Sequence, residues 1–342
     1  MHVTGSEDIF HLTLALRSIW KKSEADIMYK NQVSEQNCNY QYTNTLIKLV
    51  QMKAKALFSV FVIAVISCNN AVQDKVEYGS NESAGQYIDV NDIKVYYEVY
   101  GEGEPVLLLH GNGGSIANFQ YQIPELSKHF KVIAVDSRAQ GKSSDSDKEI
   151  TYALMASDMS ELIDKLLLEG VYVVGWSDGG NIGLELAYAH PEKVKKLVTL
   201  GANYTWEDFM APPDSITMDQ NDPLIVKMKP VIEKLLEGYQ KISPAIQEKL
   251  TALMEKYPNF TREQLGQIQA PTLVVAGDHD MIKLDQTIAL FTSLPHAQLF
   301  IIPGASHFAL LEQPELVNSE IINFLSTPYR DLDGYYPLQF LQ

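Results

Sequence analysis

The sequence predicts an α/β protein in which helices cover both faces of a mostly parallel sheet. Short apolar runs recur along the chain and alternate with amphipathic stretches such as Met155–Leu168. Continuous apolar runs are typical of parallel strands that are buried on both faces, and strands that alternate with helices indicate a doubly wound sheet. The runs are Val106–Leu109, Val132–Val135, Val171–Val174, Leu197–Leu200, Leu273–Ala276 and Leu299–Ile302.

Two segments depart from this alternation. Tyr87–Val90 and Ile93–Val99 surround Asn91-Asp92 and alternate in polarity, which predicts a hairpin. From about 203 to 267 no strand-like run occurs, although helical patterns do. An insertion between two strands, beside the edge of the sheet that binds ligands, predicts a helical cap. The alternative is a pair of ordinary packing helices.

Composition excludes several classes of function. The 342 residues include 46% hydrophobic residues, enough for a sizeable core. The formal net charge of −16 disfavours nucleic acid, since phosphate binding needs clustered Lys and Arg. Cys38 and Cys68 make no disulfide framework, and no Cys/His cluster indicates zinc. The sequence implies no metal or organic cofactor and leaves the oligomeric state open.

The amino-terminal region contains a short apolar run that leads to a cysteine. Basic residues after Met52 precede the run, Ala56–Ser67, and Cys68 follows it in the sequence Val65-Ile66-Ser67-Cys68. The run is too short to span a bilayer, which needs about 20 residues. This arrangement is similar to a bacterial lipoprotein signal peptide, and the resemblance implies lipidation of Cys68 and a cell-envelope location outside the cytoplasm, with the membrane contacted through the lipid only.

These features divide the amino-terminal region into three parts. Residues 1–51 are interpreted as an extension upstream of the true start at Met52, residues 52–67 as the signal peptide and residues 68–85 as a polar tether. The alternative is a buried helix or a membrane anchor that follows a genuine cytoplasmic segment.

A candidate nucleophile follows the third apolar run. Gly175-Trp176-Ser177-Asp178-Gly179 comes directly after Val174 and precedes a helical stretch. G-x-S-x-G between a strand and a helix is typical of the nucleophile elbow, in which a strained turn exposes the serine hydroxyl. The position of the motif makes Ser177 the predicted nucleophile.

A nucleophilic serine needs a base, and the base needs a carboxylate that orients it. His307 follows the last predicted strand and is the predicted base, while Asp278 and Asp280 follow the strand before it. These residues have the order serine, acid, histidine that such elbows require. His279 is an alternative base, but its two acidic neighbours make it a more plausible loop residue.

The developing oxyanion needs preorganised N–H donors. The glycine-rich segment His110–Ser115 follows Val106–Leu109 and predicts one donor at Asn112. The second predicted donor is the N–H of Asp178, directly after the nucleophile. The alternative is a plain glycine-rich turn; a phosphate-binding loop is excluded because neither of its sequence patterns is present.

These residues resemble the α/β-hydrolase superfamily over residues 86–326, which leaves 327–342 as a tail. The elbow and its continuation are most similar to the biphenyl-hydrolase-like and valacyclovir-hydrolase-like branch. The resemblance implies an α/β-hydrolase fold and selects Asp280 as the acid. It also implies that Asp178 faces a substrate ammonium; the alternative is a carboxylate in the first turn of a helix. Ala139 departs from the family pattern, which has glycine there.

The predicted activity is hydrolysis of a small ester or amide through an acyl-serine intermediate, with Trp176 bordering the substrate pocket. A carbon–carbon bond hydrolase or a lactonase on the same triad is the alternative within enzymes. A non-catalytic binding protein with a hydrolase fold is the alternative outside them. Epoxide hydrolases and dehalogenases are disfavoured, because they need a carboxylate where Ser177 stands.

Overall fold

A computed structural model describes residues 76–330, apart from 208, 211–225, 227–228, 230–232 and 234–237. The strands are β1 (Gly85–Val90), β2 (Ile93–Tyr100), β3 (Pro105–Leu109), β4 (Lys131–Val135), β5 (Val171–Trp176), β6 (Val194–Leu200), β7 (Thr272–Gly277) and β8 (Ala297–Ile302). The helices are α1 (Ile123–Leu126), α2 (Tyr152–Lys165), α3 (Asp178–Ala189), α4 (Pro244–Met254), α5 (Arg262–Leu265), α6 (Leu284–Ser293), α7 (Ala309–Glu312) and α8 (Pro314–Ser326). The predictions for residues 1–75, including Cys68, for much of the first half of the helical cap and for most of the tail at 327–342 lie outside the described residues.

The eight strands form one sheet in the order β1-β2-β4-β3-β5-β6-β7-β8. The pairs β1–β2 and β2–β4 are antiparallel, and all the other pairs are parallel. The predicted hairpin and the mostly parallel sheet are therefore confirmed. The carboxyl ends of the parallel strands share one edge, which is where ligands bind in open α/β sheets.

Each face of the sheet has its own apolar core, as the continuous apolar runs predict. Along β3, Leu107 and Leu109 enter one core, while Val106 and Leu108 enter the other. The first core includes buried residues of α2 and α3, and the second includes residues of α1 and α8. Burial of apolar side chains on both faces holds β3 and β5 rigid where they end at the candidate site.

Helix α2 begins at Tyr152, three residues before the predicted start at Met155. The side-chain oxygen of Thr151 accepts a hydrogen bond of 3.0 Å from the N–H of Leu154 and caps the helix. The sequence interpretation followed apolar periodicity alone and missed the cap. The earlier start places the Tyr152 side chain in the protein interior, where it is 2% exposed.

The insertion between β6 and β7 contains α4 and α5 and, among its described residues, no strand longer than an isolated bridge. Helix α4 contacts the loop after β3, since the carbonyl oxygen of Leu250 accepts a hydrogen bond of 3.3 Å from the Asn112 side chain. The described part of the insertion thus reaches the carboxyl edge of the sheet. Across the described ranges, no helix has the length and apolar character needed to cross a membrane.

Residues 78–84, which fall within the predicted tether, are attached to the sheet. The carboxylate of Glu98, which has no exposed surface, accepts backbone hydrogen bonds from Gly79 at 2.8 Å and Asn81 at 2.9 Å. The hydroxyl groups of Tyr96 and Tyr100 donate to the same carboxylate at 2.7 and 2.8 Å. The attached part of the chain therefore begins ahead of residue 86, where the sequence analysis put the domain boundary.

Candidate active site

Ser177 occupies the sharp turn between β5 and α3. Its φ of +54° and ψ of −121° lie in a region that non-glycine residues rarely adopt. Such backbone strain in a turn between a strand and a helix is typical of a nucleophile elbow. An added Cβ on Gly179 would collide with the carbonyl oxygen of Leu109, so the crossing of α3 over β3 requires glycine there.

His307 and Asp280 form a close pair at the ends of β8 and β7. The Nδ1 of His307 lies 2.7 Å from Oδ1 of Asp280, and their side chains are 8% and 3% exposed. The same Asp280 oxygen accepts the N–H of Ile282 at 2.9 Å, which fixes the carboxylate in place. A carboxylate on Nδ1 leaves Nε2 as the nitrogen that can take a proton from a nucleophile.

The other acid considered from the sequence, Asp278, has a different set of partners. Its Oδ1 lies 2.7 Å from the exposed ring of His279 and accepts the Gly304 N–H at 2.7 Å. The hydrogen bond from His279 is the main reason that the pKa of Asp278 is below its ordinary value. The structure therefore pairs Asp280, rather than Asp278, with His307.

Gly201, directly after β6, provides the space in which this pair lies, a role that the sequence analysis missed. Its φ is +62°, and an added Cβ would lie 2.8 Å from Cε1 of His307 and 3.1 Å from Oδ2 of Asp280. The sequence feature that could have revealed this role is a glycine directly after a predicted parallel strand.

Trp176 is buried beside the His307 loop. Its indole N–H donates to the carbonyl oxygen of His307 at 2.9 Å, and its ring centroid lies 5.8 Å from that of the imidazole. With only 6% of its surface exposed, the tryptophan contacts the base from within the protein. Its role in substrate binding stays a prediction.

The loop between β3 and Asn112 is held by His110. The Nε2 of His110 accepts the Ser137 N–H at 3.0 Å, so Nδ1 carries the proton and donates to the carbonyl oxygen of Gly111 at 2.8 Å. Burial lowers the pKa of His110 to about 4, which keeps this ring neutral at pH 7. Because both ring nitrogens are hydrogen-bonded to backbone groups, the neutral His110 ring has a structural role in this loop.

One predicted oxyanion donor, Asp178, directly follows Ser177, and the other, Asn112, directly follows Gly111. Within the described part of the chain, neither the Asn112 N–H nor the Asp178 N–H has a hydrogen-bond acceptor. An added Cβ on Gly111 would lie 3.1 Å from Cβ of Ser177, so the loop passes close to the candidate nucleophile. Two free N–H groups beside a serine are the arrangement that a tetrahedral intermediate requires.

The side chain of Asp178 is turned into the protein. Its Oδ2 accepts from the Asn112 side chain and its Oδ1 from the Tyr152 hydroxyl, both at 2.8 Å. Burial raises the pKa of Asp178, while the two hydrogen bonds and the charge of His307 act in the opposite direction. Sequence analysis missed the Tyr152 contact, which joins residues 26 positions apart.

Metal chemistry has no obvious site among residues 76–330 as described. No group of three or more His, Cys, Asp or Glu side chains there is placed to hold a metal ion.

Comparison with known proteins agrees with the fold. The family described as alpha/beta hydrolase fold matches residues 104–230, which contain β3, the elbow and α3. The chain has the α/β-hydrolase fold. It is 28% identical over 284 residues to 2-hydroxy-6-oxo-6-(2'-aminophenyl)hexa-2,4-dienoic acid hydrolase of Metapseudomonas resinovorans, covering 74% of this chain and 96% of the relative.

Two further matches show how varied the relatives are. A putative esterase/lipase of Haemophilus influenzae is 27% identical over 65% of this chain and 83% of the relative. The solved structure of a meta-cleavage product hydrolase from Pseudomonas fluorescens IP01 aligns with a TM-score of 0.62 and 23% identity, over 72% of this chain and 99% of that one. The relatives are hydrolases of the same fold, and the predicted biphenyl-hydrolase-like branch stays a prediction.

Proposed function

We propose that this α/β hydrolase cleaves a small ester or amide through an acyl-serine intermediate. The observation that carries the proposal is the buried Asp280–His307 pair, 2.7 Å apart, at the same edge of the sheet as the strained turn of Ser177. The two free N–H groups of Asn112 and Asp178 support it further.

In the proposed mechanism, Ser177 Oγ attacks the carbonyl carbon while Nε2 of His307 takes the hydroxyl proton. Asp280 holds the imidazole tautomer through Nδ1 and stabilises the imidazolium that forms. The N–H groups of Asn112 and Asp178 bind the oxyanion. When the tetrahedral intermediate collapses, His307 returns the proton to the departing alkoxide or amine. Water then attacks the acyl-serine with the same base and releases the acid and free Ser177.

The direct test uses short nitrophenyl esters and a fluorophosphonate probe. We expect the wild-type protein to hydrolyse the ester and to be labelled at Ser177, and Ser177→Ala to lose both properties while it stays folded. Ser319→Ala, which changes an exposed serine of α8, is the matched control and should behave as wild type. A folded wild-type protein that is not labelled would instead favour a binding protein with a hydrolase fold.

A second candidate activity is cleavage of a carbon–carbon bond in a hydroxy-oxo-dienoic acid. The relative from Metapseudomonas resinovorans, a hydrolase of an acid of this kind, favours this activity, because the sequence match extends over 96% of that relative. A lactonase is the third possibility on the same residues. A panel of nitrophenyl esters, lactones and a ring-fission dienoate, compared by kcat/KM, separates the three, since the substrate with the highest value identifies the class.

We also propose that the protein is lipid-anchored in a bacterial cell envelope. The support is the sequence Val65-Ile66-Ser67-Cys68 after a basic start and an apolar run. Intact-mass measurement of the membrane fraction tests it. A mature chain that begins at acylated Cys68 is expected, Cys68→Ala should move the protein out of that fraction, and peptides from before Met52 in the mature form would contradict the proposal.

A further inference from the structure

Polar side chains connect the two candidate oxyanion donors. The Nδ2 of Asn112 donates to Oδ2 of Asp178, and the Tyr152 hydroxyl donates to Oδ1 of the same carboxylate, each at 2.8 Å. Asp178 is 4% exposed and Tyr152 is 2% exposed. The proposed mechanism uses the backbone N–H groups of Asn112 and Asp178, and these side-chain contacts are additional to it.

The same connection continues toward the start of the insertion. The Asn181 side chain acts on the Tyr152 hydroxyl, since it opposes the rise in the pKa of Tyr152 that burial causes. Asn181 in turn donates to Oδ1 of Asn203 at 3.0 Å, and Asn203 donates to the carbonyl oxygen of Thr205 at 2.9 Å. Buried hydrogen bonds of this kind rigidify the groups they join when every member has a partner.

The two oxyanion donors come from different elements, so their separation is not set by covalent geometry. Asn112 lies in the loop after β3, whereas Asp178 begins α3. Asn112 is half-buried, and its neighbour Gly113 has a φ of +66°. An oxyanion hole is effective only when both N–H groups are placed before the reaction begins. A link between these two residues therefore acts directly on the catalytic geometry.

We propose that the carboxylate of Asp178 is a positioning residue that holds Asn112 and thereby fixes the separation of the two oxyanion donors. The inference rests on the proposed serine hydrolase function. It assigns Asp178 two separate tasks, since the backbone N–H binds the oxyanion and the side chain places the second donor. The carboxylate needs only to accept the Asn112 hydrogen bond, which a neutral amide oxygen also does.

This inference differs from the expectation that Asp178 binds a substrate ammonium. That expectation requires an exposed negative charge in the substrate pocket, and it predicts an effect on amino-acid esters alone. A positioning role predicts an effect on every ester, because every tetrahedral intermediate uses the same two donors.

The experiment compares Asp178→Ala, Asp178→Asn and Asn112→Ala with wild type on an α-amino-acid ester and its des-amino analogue. We expect Asp178→Ala to lower kcat about 100-fold on both esters with little change in KM, the size of effect that a misplaced catalytic group produces. Asp178→Asn should stay within about fivefold of wild type, since its amide oxygen accepts from Asn112 and its N–H can donate to Tyr152. Asp164→Ala, an exposed carboxylate of α2, is the matched control.

Three results would overturn the inference. The first is a kcat of Asp178→Ala on the des-amino ester that equals the wild-type value. The second is an Asp178→Asn variant that is as slow as Asp178→Ala. The third is a double variant in which the activation free energies lost in Asp178→Ala and Asn112→Ala simply add. Coupled residues give non-additive losses. Asn112→Ala keeps its backbone N–H and provides the test if Asp178→Ala does not fold.

The rate of labelling by fluorophosphonate gives a readout that does not depend on the substrate, because the probe also develops negative charge on an oxygen. Asp178→Ala should slow labelling by about the same factor as ester hydrolysis. An unreactive wild type contradicts the proposed function itself, while a reactive wild type with an unaffected Asp178→Ala contradicts only this inference.

Discussion

The indole N–H of Trp176 donates a hydrogen bond of 2.9 Å to the carbonyl oxygen of His307. The residue before the candidate nucleophile is thereby joined to the candidate base, although 131 positions separate them in the chain. The base loop after β8 is held by β5 as well as by Asp280.

Loss of this hydrogen bond should affect both stability and catalysis. In Trp176→Phe the aromatic packing is largely kept, but the carbonyl oxygen of His307 loses its buried donor, which costs about 1–3 kcal/mol of the free energy of unfolding. We expect kcat on a nitrophenyl ester to fall roughly tenfold or more, because the imidazole is less well placed. Trp206→Phe, at a partly exposed position, is the control, and equal kcat in the two variants would refute the role of the hydrogen bond.

Gly201→Ala should disable the enzyme with little loss of fold. The added methyl group would lie 2.8 Å from the His307 ring, so the imidazole must move away from its catalytic position. We expect kcat to fall about 100-fold or more. Gly304→Ala is a matched control, since Gly304 has a similar φ of +67° with open space around its Cβ position. Both variants carry about 1–2 kcal/mol of backbone strain, and equal kcat values would show that the clash is unimportant.

Ala139→Gly should stabilise the protein. Ala139 has a φ of +64°, so it keeps the left-handed backbone that the family's glycine adopts without strain. Relief of about 1–2 kcal/mol, less about 0.4–1 kcal/mol for the greater freedom of the unfolded chain, leaves a gain of up to about 1.6 kcal/mol, with a central value of about 0.8 kcal/mol. Urea unfolding measures this change in the free energy of unfolding. Ala245→Gly, at an exposed helical position, should instead lower the free energy of unfolding. A lower free energy of unfolding in both variants would show that the backbone of Ala139 is not strained.

The buried carboxyl of Asp136 should make stability depend on pH. Burial, with a smaller contribution from nearby Glu98, raises the pKa of Asp136 to about 7, although the hydrogen bonds from the N–H groups of Ile116 and Lys142 oppose the shift. The unfolded chain releases this proton near pH 4, well before the folded one does. The contribution of Asp136 to the free energy of unfolding is therefore fully present below about pH 4 and is lost as the pH rises through 7.

Asp136→Asn removes this titration and tests the assignment. Urea unfolding at several pH values between 4.5 and 8 should show a smaller decrease in the free energy of unfolding for Asp136→Asn than for wild type. The absolute stability of the variant is expected to be lower, because an amide cannot accept both backbone hydrogen bonds. Asp164→Asn should retain the wild-type slope, and identical slopes in all three proteins would contradict the prediction.

Much of the fold followed from the sequence because parallel strands have a strong local signal. Apolar runs such as Val106–Leu109 are buried on both faces, and each one became a strand. The elbow was also a local pattern, with Ser177 between a strand and a helix. The choice between Asp278 and Asp280 needed the family resemblance, since two carboxylates two positions apart differ only in the partners that the folded loop gives them.

The contacts that sequence reasoning missed join distant parts of the chain. Tyr152 reaches Asp178 because Thr151 starts α2 earlier than the apolar period indicates. Gln140 accepts the Gly113 N–H at 2.6 Å and supports the oxyanion loop, although the loop that carries Gln140 gave no clear function from its sequence. Neither contact has a pattern of fixed spacing, so both become visible only in the folded chain.

The attachment of residues 78–84 to the sheet limits how far the enzyme could extend from a lipid at Cys68. Nine residues, 69–77, separate that cysteine from Tyr78, whose ring packs against Tyr100. Even fully extended, this span reaches roughly 35 Å, less than the width of a domain of this size, which is on the order of 40 Å. A lipidated enzyme would thus be confined to a layer about one molecule deep, where substrates released at the bilayer surface would meet it at a raised local concentration.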